Sequence, residues 1–171
     1  MGPDNSQDNS RDRALRHQNF AHFTAKIRQY FSQQNFLEVM TPPMVASPGI
    51  ETHIHPFQLY SENQKKIVPY YLHTSPEFHM KELLSLGMEK IFTLTYCFRD
   101  EPSSPIHRQQ FLMLEWYRAN ESYEQIMNDC VALTQFITKT NLDSISCPIL
   151  TMREIFKQFL QESFVFYKPK D

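Results

Sequence analysis

Residues 91–118 read IFTLTYCFRDEPSSPIHRQQFLMLEWYR, and the fold turns on how this stretch divides. Ile91 to Phe98 is rich in aromatics and threonine and alternates apolar with small or polar side chains, the pattern of a strand. Arg99 ends that run. Residues 100–109 hold two prolines, two serines and several charges, which marks a loop. Phe111 to Tyr117 is a second strand. Two strands joined by so short a loop form an antiparallel hairpin.

The period of two sorts the second strand into faces. Leu112, Leu114 and Trp116 share one face, which reads as core. Phe111, Met113, Glu115 and Tyr117 share the other, so a ring, a carboxylate and a phenol stand in a row. Arg99 lies where the first strand meets the loop. Glu101 follows two residues later, and His107 sits near the loop's far end. A guanidinium fork binds phosphate or carboxylate oxygens with two parallel hydrogen bonds. An aromatic ring offers a base a stacking surface. The set suits a ligand with phosphates, a flat base and an amine. Taken one at a time, these residues also fit blander roles: Arg99 and Glu101 as a surface ion pair, Phe111 and Tyr117 as core.

Upstream, Thr74-Ser75-Pro76-Glu77 is a helix start. Ser75 or Thr74 can cap, proline suits the first turn, and Glu77 suits the positive helix end or a capping box. This helix is expected to run to about Leu86, with Gly87 as its stop. Ile54–Tyr60 and Ile67–His73 read as strands that Pro56 and Pro69 push toward edges or bulges. His53 and His55 lie at the start of the first of these, where they could chelate a metal but read more simply as surface residues, since no third ligand is implied. Residues 44–53 read as a loop. Phe20, Phe23, Ile27, Tyr30 and Phe31 recur at helical spacing and give an amphipathic helix from about 12 to 34, ended by Asn35. Phe36–Thr41 is then a short strand stopped by Pro42 and Pro43. Downstream, Ser122 with Gln125 opens a helix to about 139, and Thr151 with Glu154 opens a last one. The ending FVFYKPKD is compatible with a strand. The fold class expected is α+β, an antiparallel sheet flanked by helices.

Composition narrows the function. The 171 residues suit one domain, with 1–11 a disordered polar N-terminus and 12–171 the folded part. With 17 Lys+Arg against 19 Asp+Glu there is no basic stripe from which to argue general nucleic-acid binding. The only glycines are Gly2, Gly49 and Gly87, which excludes a Walker loop and a dinucleotide fingerprint. Cys97, Cys130 and Cys147 are odd in number and widely spaced, as reduced thiols are. No run of about 18 apolar residues is long enough to span a bilayer. The polar N-terminus is not a signal peptide, so the cytoplasm is the expected compartment.

Arg99-x-Glu101, His107, Phe111 and Glu115 resemble motif 2 of the class II aminoacyl-tRNA synthetases. Phe98-Arg99-Asp100-Glu101 and Met113-Leu114-Glu115-Trp116-Tyr117-Arg118 look most like the lysyl branch, and within it the stand-alone elongation factor P lysine ligase family. Phe36-Leu37-Glu38-Val39-Met40-Thr41-Pro42 resembles motif 1, which builds that family's dimer interface, with Pro42 at its proline. Without motif 2, the same stretch is an ordinary helix–strand pair. Thr74-Ser75-Pro76-Glu77 with Met80-Lys81 resembles the lysyl-type segment whose glutamate receives the substrate α-amino group.

The resemblance covers roughly residues 12–165, and it implies ATP-dependent activation of an amino acid, lysine or a β-isomer, through an adenylate. Arg99 would bridge the α-phosphate and the substrate carboxylate. Glu101 would accept from the adenine amino group, Phe111 would stack on adenine, and His107 would reach the terminal phosphates. Glu77 would take the α-ammonium, with Glu115 and Tyr117 lining the amino-acid pocket. Mg²⁺ is implied, with its ligands expected in a C-terminal half that this sequence lacks. The implied acceptor is elongation factor P or tRNA, and the implied assembly a homodimer without membrane. With the first helix from about residue 12, there is no room for an anticodon-binding barrel before it, which disfavours an ordinary lysyl-tRNA synthetase. The sequence departs from the family in two ways: Gln110 stands where a glutamate is usual, and no glycine follows Gly87, so the third motif, Gly-x-Gly-x-x-Arg, is not here. The alternative is therefore a non-catalytic class II-like module that dimerises or binds nucleotide. A weaker one is an aspartyl- or asparaginyl-type relative.

Overall fold

A computed structural model of the chain describes residues 5–49, 51–139 and 149–160. The elements are α1 (Asn5–Gln33), β1 (Leu37–Glu38), β2 (Met44–Val45), β3 (Gln58–Ser61), β4 (Lys66–Leu72), α2 (Glu77–Ser85), β5 (Lys90–Phe98), β6 (Gln110–Arg118), α3 (Tyr123–Thr138) and α4 (Met152–Leu160). β5 and β6 form the expected antiparallel hairpin, paired without a break from Lys90↔Arg118 to Phe98↔Gln110. It exceeds the expected strands by one residue at Lys90 and one at each end of β6. β1 adds to β5 in parallel, giving the order β1-β5-β6.

The two faces of the hairpin carry the two parts of the core. Phe92, Leu114 and Trp116 face α1 and α3 and pack with Ile27, Tyr30, Phe31, Phe36 and Leu133. Phe31 stacks on Phe92, with ring centroids 4.7 Å apart, and meets Phe36 edge-on at 5.0 Å. Arg118 closes this side: its Nε and Nη2 donate to the two carboxylate oxygens of Asp129 at 2.6 and 2.9 Å. The opposite face is covered by α2, where Val39, Met80 and Ile91 pack with Leu83, Leu84, Met88 and Tyr117. α2 ends as expected at Gly87, whose φ of +95° favours glycine, and Met88 N–H turns back to Leu83 O at 3.2 Å. Asn35 ends α1 in the same way with φ +59°, and Phe36 N–H returns to Phe31 O at 2.9 Å.

Several boundaries differ from expectation. α1 begins at Asn5 instead of about residue 12, so residues 5–11 are helical where a disordered segment was expected. Extending a helix already nucleated by packing costs little, even for polar residues. Its amphipathic stripe is buried only at the C-terminal end; Phe20 and Phe23 are about half exposed. β1 is shorter than Phe36–Thr41, because after Val39 N–H bonds Phe92 O at 2.8 Å the chain leaves β5 for the second sheet. That sheet has the order β2-β4-β3. β2 lies inside the expected loop 44–53, where periodicity had no room to show a two-residue strand. β3 starts only after Pro56. β4 is central instead of an edge, and Pro69 is tolerated because the β3–β4 register slips between Gln58↔Tyr71 and Tyr60↔Ile67, a bulge that needs no N–H there. The Thr151–Glu154 capping box forms, with Glu154 N–H donating to Thr151 Oγ1 at 3.2 Å and Thr151 N–H to Glu154 Oε2 at 2.7 Å. The Ser122–Gln125 box does not: the Gln125 amide turns toward Asp129 instead, at 3.4 Å. Cys147 and the strand expected in FVFYKPKD lie outside the described residues.

Candidate active site

The site begins where the second sheet delivers its chain to the end of the hairpin. His73 O accepts from Phe98 N–H at 3.1 Å, and His55 O accepts from Asp100 N–H at 2.7 Å. The His73 ring donates from Nε2 to Tyr96 O at 2.8 Å, leaving Nδ1 buried without a partner. Burial lowers the His73 pKa, since a proton on Nδ1 would be an unpaired buried donor. The next residue, Thr74, is held by its hydroxyl donating to Pro48 O at 3.0 Å, and its own carbonyl takes Arg99 Nε at 3.4 Å.

Arg99 is therefore aimed by the backbone of another element. Its guanidinium carbon lies 5.2 Å from the centre of the Phe111 ring, close enough for a cation–π contact. Arg99 N–H also bonds Gln109 O at 2.9 Å and closes the loop's base. Arg99, Glu101, Pro102, Ile106, His107, Arg108 and Phe111 line one cavity of about 270 Å³. Among the described residues Arg99 has no carboxylate partner, so the surface ion pair with Glu101 does not form. Donors remain for an anion.

Further along the same face of β6 stand Met113, Glu115 and Tyr117. At about 3.4 Å per residue, Glu115 lies roughly 14 Å from Phe111. Tyr117 donates its hydroxyl to Glu115 Oε2 at 3.2 Å. Burial raises the Glu115 pKa, with the Tyr117 hydrogen bond opposing and the charge of Glu77 adding to the rise. Burial and the charge of Glu115 raise the Tyr117 pKa, so the phenol stays a donor. Glu77, in the first turn of α2, pairs with Lys81 one turn on, and its N–H meets Ser75 Oγ at 3.4 Å. Glu115 and Tyr117 thus form one acidic patch with Glu77 close enough to act on both.

The expected residues therefore fall into two groups: Arg99, Glu101, His107 and Phe111 around the cavity at the loop end of β6, and Glu77 on α2 with Glu115 and Tyr117 further along that strand. Pro42 is exposed after β1 and is not among the residues lining the cavity. Sequence reasoning missed Arg108, a second cation in the cavity, whose signal was its place beside His107 in a loop already assigned to phosphate. It also missed the Thr74 carbonyl, for which no side-chain pattern exists. No group of three or more His, Cys, Asp or Glu that could hold a metal occurs among the described residues. No described helix is long and apolar enough to cross a membrane.

Residues 9–164 match the family described as tRNA synthetases class II (D, K and N). The chain is 37% identical over 138 residues to an elongation factor P–(R)-beta-lysine ligase of Sodalis glossinidius, covering 80% of this chain and 41% of the relative. It is 40% identical over 117 residues to the ligase of that name in Vibrio vulnificus, with coverages of 67% and 36%. The Vibrio cholerae ligase is 35% identical over 137 residues, with coverages of 79% and 41%. The chain thus spans about two fifths of the length of the curated relatives it matches.

Proposed function

Because this chain belongs to the class II tRNA synthetases of the D, K and N group, we propose that it carries the nucleotide- and amine-binding part of an enzyme that activates lysine or β-lysine with ATP. The observation that carries this reading is the shared face of β6. At one end Arg99 and Phe111 flank a cavity that also holds Glu101, His107 and Arg108. At the other, Glu115 and Tyr117 meet the charge of Glu77. In the proposed reaction a carboxylate oxygen of the amino acid attacks the α-phosphorus of ATP. An O–P bond forms, the bond to the bridging oxygen breaks, and pyrophosphate leaves with its electron pair. Phe111 stacks on adenine and Glu101 accepts from its amino group. Arg99 spans the α-phosphate and the attacking carboxylate, so two anions approach under one guanidinium. His107 meets the terminal phosphates. Glu77 takes the α-ammonium, displacing Lys81, while Glu115 and Tyr117 bound the amino-acid pocket. Mg²⁺, implied by the family, finds no donor cluster among the described residues, and no step here runs through it.

The proposed acceptor is a lysine of elongation factor P, the protein in the relatives' names, with tRNA as the other choice. A homodimer through the Pro42 segment and a cytoplasmic setting belong to the same reading. Competition between amino acids tests it. Lysine or β-lysine should bind in the presence of ATP and aspartate should not, and Glu115→Gln should weaken the amine. Preference for aspartate or asparagine would select the sister branches instead.

A second reading keeps the cavity and drops the chemistry. On this reading the chain alone binds nucleotide, or dimerises, without forming adenylate. ATP binding with no pyrophosphate exchange would select it.

A further inference from the structure

We propose that Ser104 is a positioning residue that fixes His107 as its Nε2–H tautomer, making the imidazole a hydrogen-bond donor to an anionic oxygen in the Arg99 cavity. Ser104 Oγ accepts from the backbone N–H groups of Ile106 at 3.3 Å and His107 at 3.0 Å. The same oxygen lies 3.0 Å from His107 Nδ1. A hydroxyl has two lone pairs and one proton. Both lone pairs are taken by the backbone, so only the O–H remains for the ring. Nδ1 must then accept, and a neutral imidazole that accepts at Nδ1 carries its proton at Nε2.

The backbone reinforces this, because Ser104 N–H donates to His107 O at 3.0 Å and ties both ends of the turn. His107 is exposed and would otherwise sample several ring orientations. With the ring anchored through Nδ1, Nε2 is the nitrogen left for a ligand. Two guanidinium groups, Arg99 and Arg108, line the same cavity. A third N–H there complements oxygens of a polyphosphate and has no use against a cation. The inference rests on the proposal that this cavity takes a nucleotide.

The test has two arms. First, nitrogen-15 spectra of the histidine rings are recorded at alkaline pH, where imidazoles are neutral, with the His107 signals assigned by their loss in His107→Gln. Wild type and Ser104→Thr should show Nδ1 unprotonated and Nε2 protonated, and Ser104→Ala should show averaging between tautomers. Second, ATP and adenosine are titrated into each variant. Ser104→Ala should weaken ATP roughly three- to ten-fold, leave adenosine unchanged, be rescued by Ser104→Thr, and add nothing in a His107→Gln background. Identical ring signals in Ser104→Ala and wild type would overturn the proposal. So would an ATP loss that persists undiminished in the His107→Gln background. If wild type binds no ATP, the nucleotide reading falls, and the ring spectra alone decide the role of Ser104.

Discussion

Two arginines mark opposite ends of the hairpin, and they differ in what completes them. Arg118, at the end of β6, stacks on Phe36 at 4.7 Å and gives two hydrogen bonds to Asp129. Their side chains are only 8% and 4% exposed. Arg99, just past β5, stacks on Phe111 at 5.2 Å, but among the described residues its guanidinium meets only a carbonyl, Thr74 O at 3.4 Å. The same side chain in nearly the same setting is thus finished by the fold in one place and left with unsatisfied donors in the other. The first fastens α3 to the sheet. The second keeps donors for the anion proposed above.

Removing Asp129 should have the largest effect on stability. It leaves a guanidinium buried and unpaired, so Asp129→Ala should lose about 3–5 kcal/mol, read as a fall in denaturant midpoint. Arg99→Ala should change stability by no more than about 0.5 kcal/mol while weakening ATP by about 1.5–3 kcal/mol. If both substitutions destabilise equally, the contrast between the two ends is wrong.

Gly87→Ala should cost about 1 kcal/mol or more, because alanine is strained at φ +95° and the stop of α2 depends on that conformation. Thermal unfolding reads this directly.

The acidic end carries a pH dependence of its own. In the proposed role Glu115 attracts an amine only when ionised, and burial places its pKa above the usual carboxylate range. Amine affinity should therefore begin to fall at a higher pH than an ordinary glutamate would dictate, and Glu115→Gln should flatten that profile. Stability runs the other way for this residue: the folded state holds the proton more tightly, so its contribution is lost as pH rises through the raised pKa. His73 has the opposite sign. Its pKa is lowered in the fold, so the unfolded chain binds the extra proton, and stability should drop as pH falls below about 6.5. His73→Asn, followed by urea titration at several pH values, isolates that contribution. The smallest effect belongs to the Arg28–Glu38 pair, which is exposed on both sides; breaking it should cost under about 1 kcal/mol.

The two ends were not equally legible in the sequence. Alternation gave the two strands and the division of β6 into a core face and a site face, and the short loop between them gave the antiparallel hairpin. Gly87 and Asn35 marked their helix ends because left-handed backbone restricts the residue type. The site residues Arg99, Glu101, His107 and Phe111 stood out through a family resemblance, and the cavity brings those four together. Arg108 and Ser104 lie in a loop, where no period distinguishes a working side chain from a solvated one. The Arg118–Asp129 pair joins a strand to a helix, and nothing local links those positions. β2 and the central place of β4 also depend on pairing between distant segments. Pro69 argued for an edge or a bulge, and the register shift in β3–β4 supplies the bulge within a central strand.

The most direct test of the account is ATP titration calorimetry on wild type and Arg99→Ala, with unfolding midpoints measured on the same samples. The account predicts that wild type binds, and that Arg99→Ala loses about 1.5–3 kcal/mol of ATP affinity with its midpoint nearly unchanged. Equal ATP binding by the two proteins, or none by wild type, would contradict it.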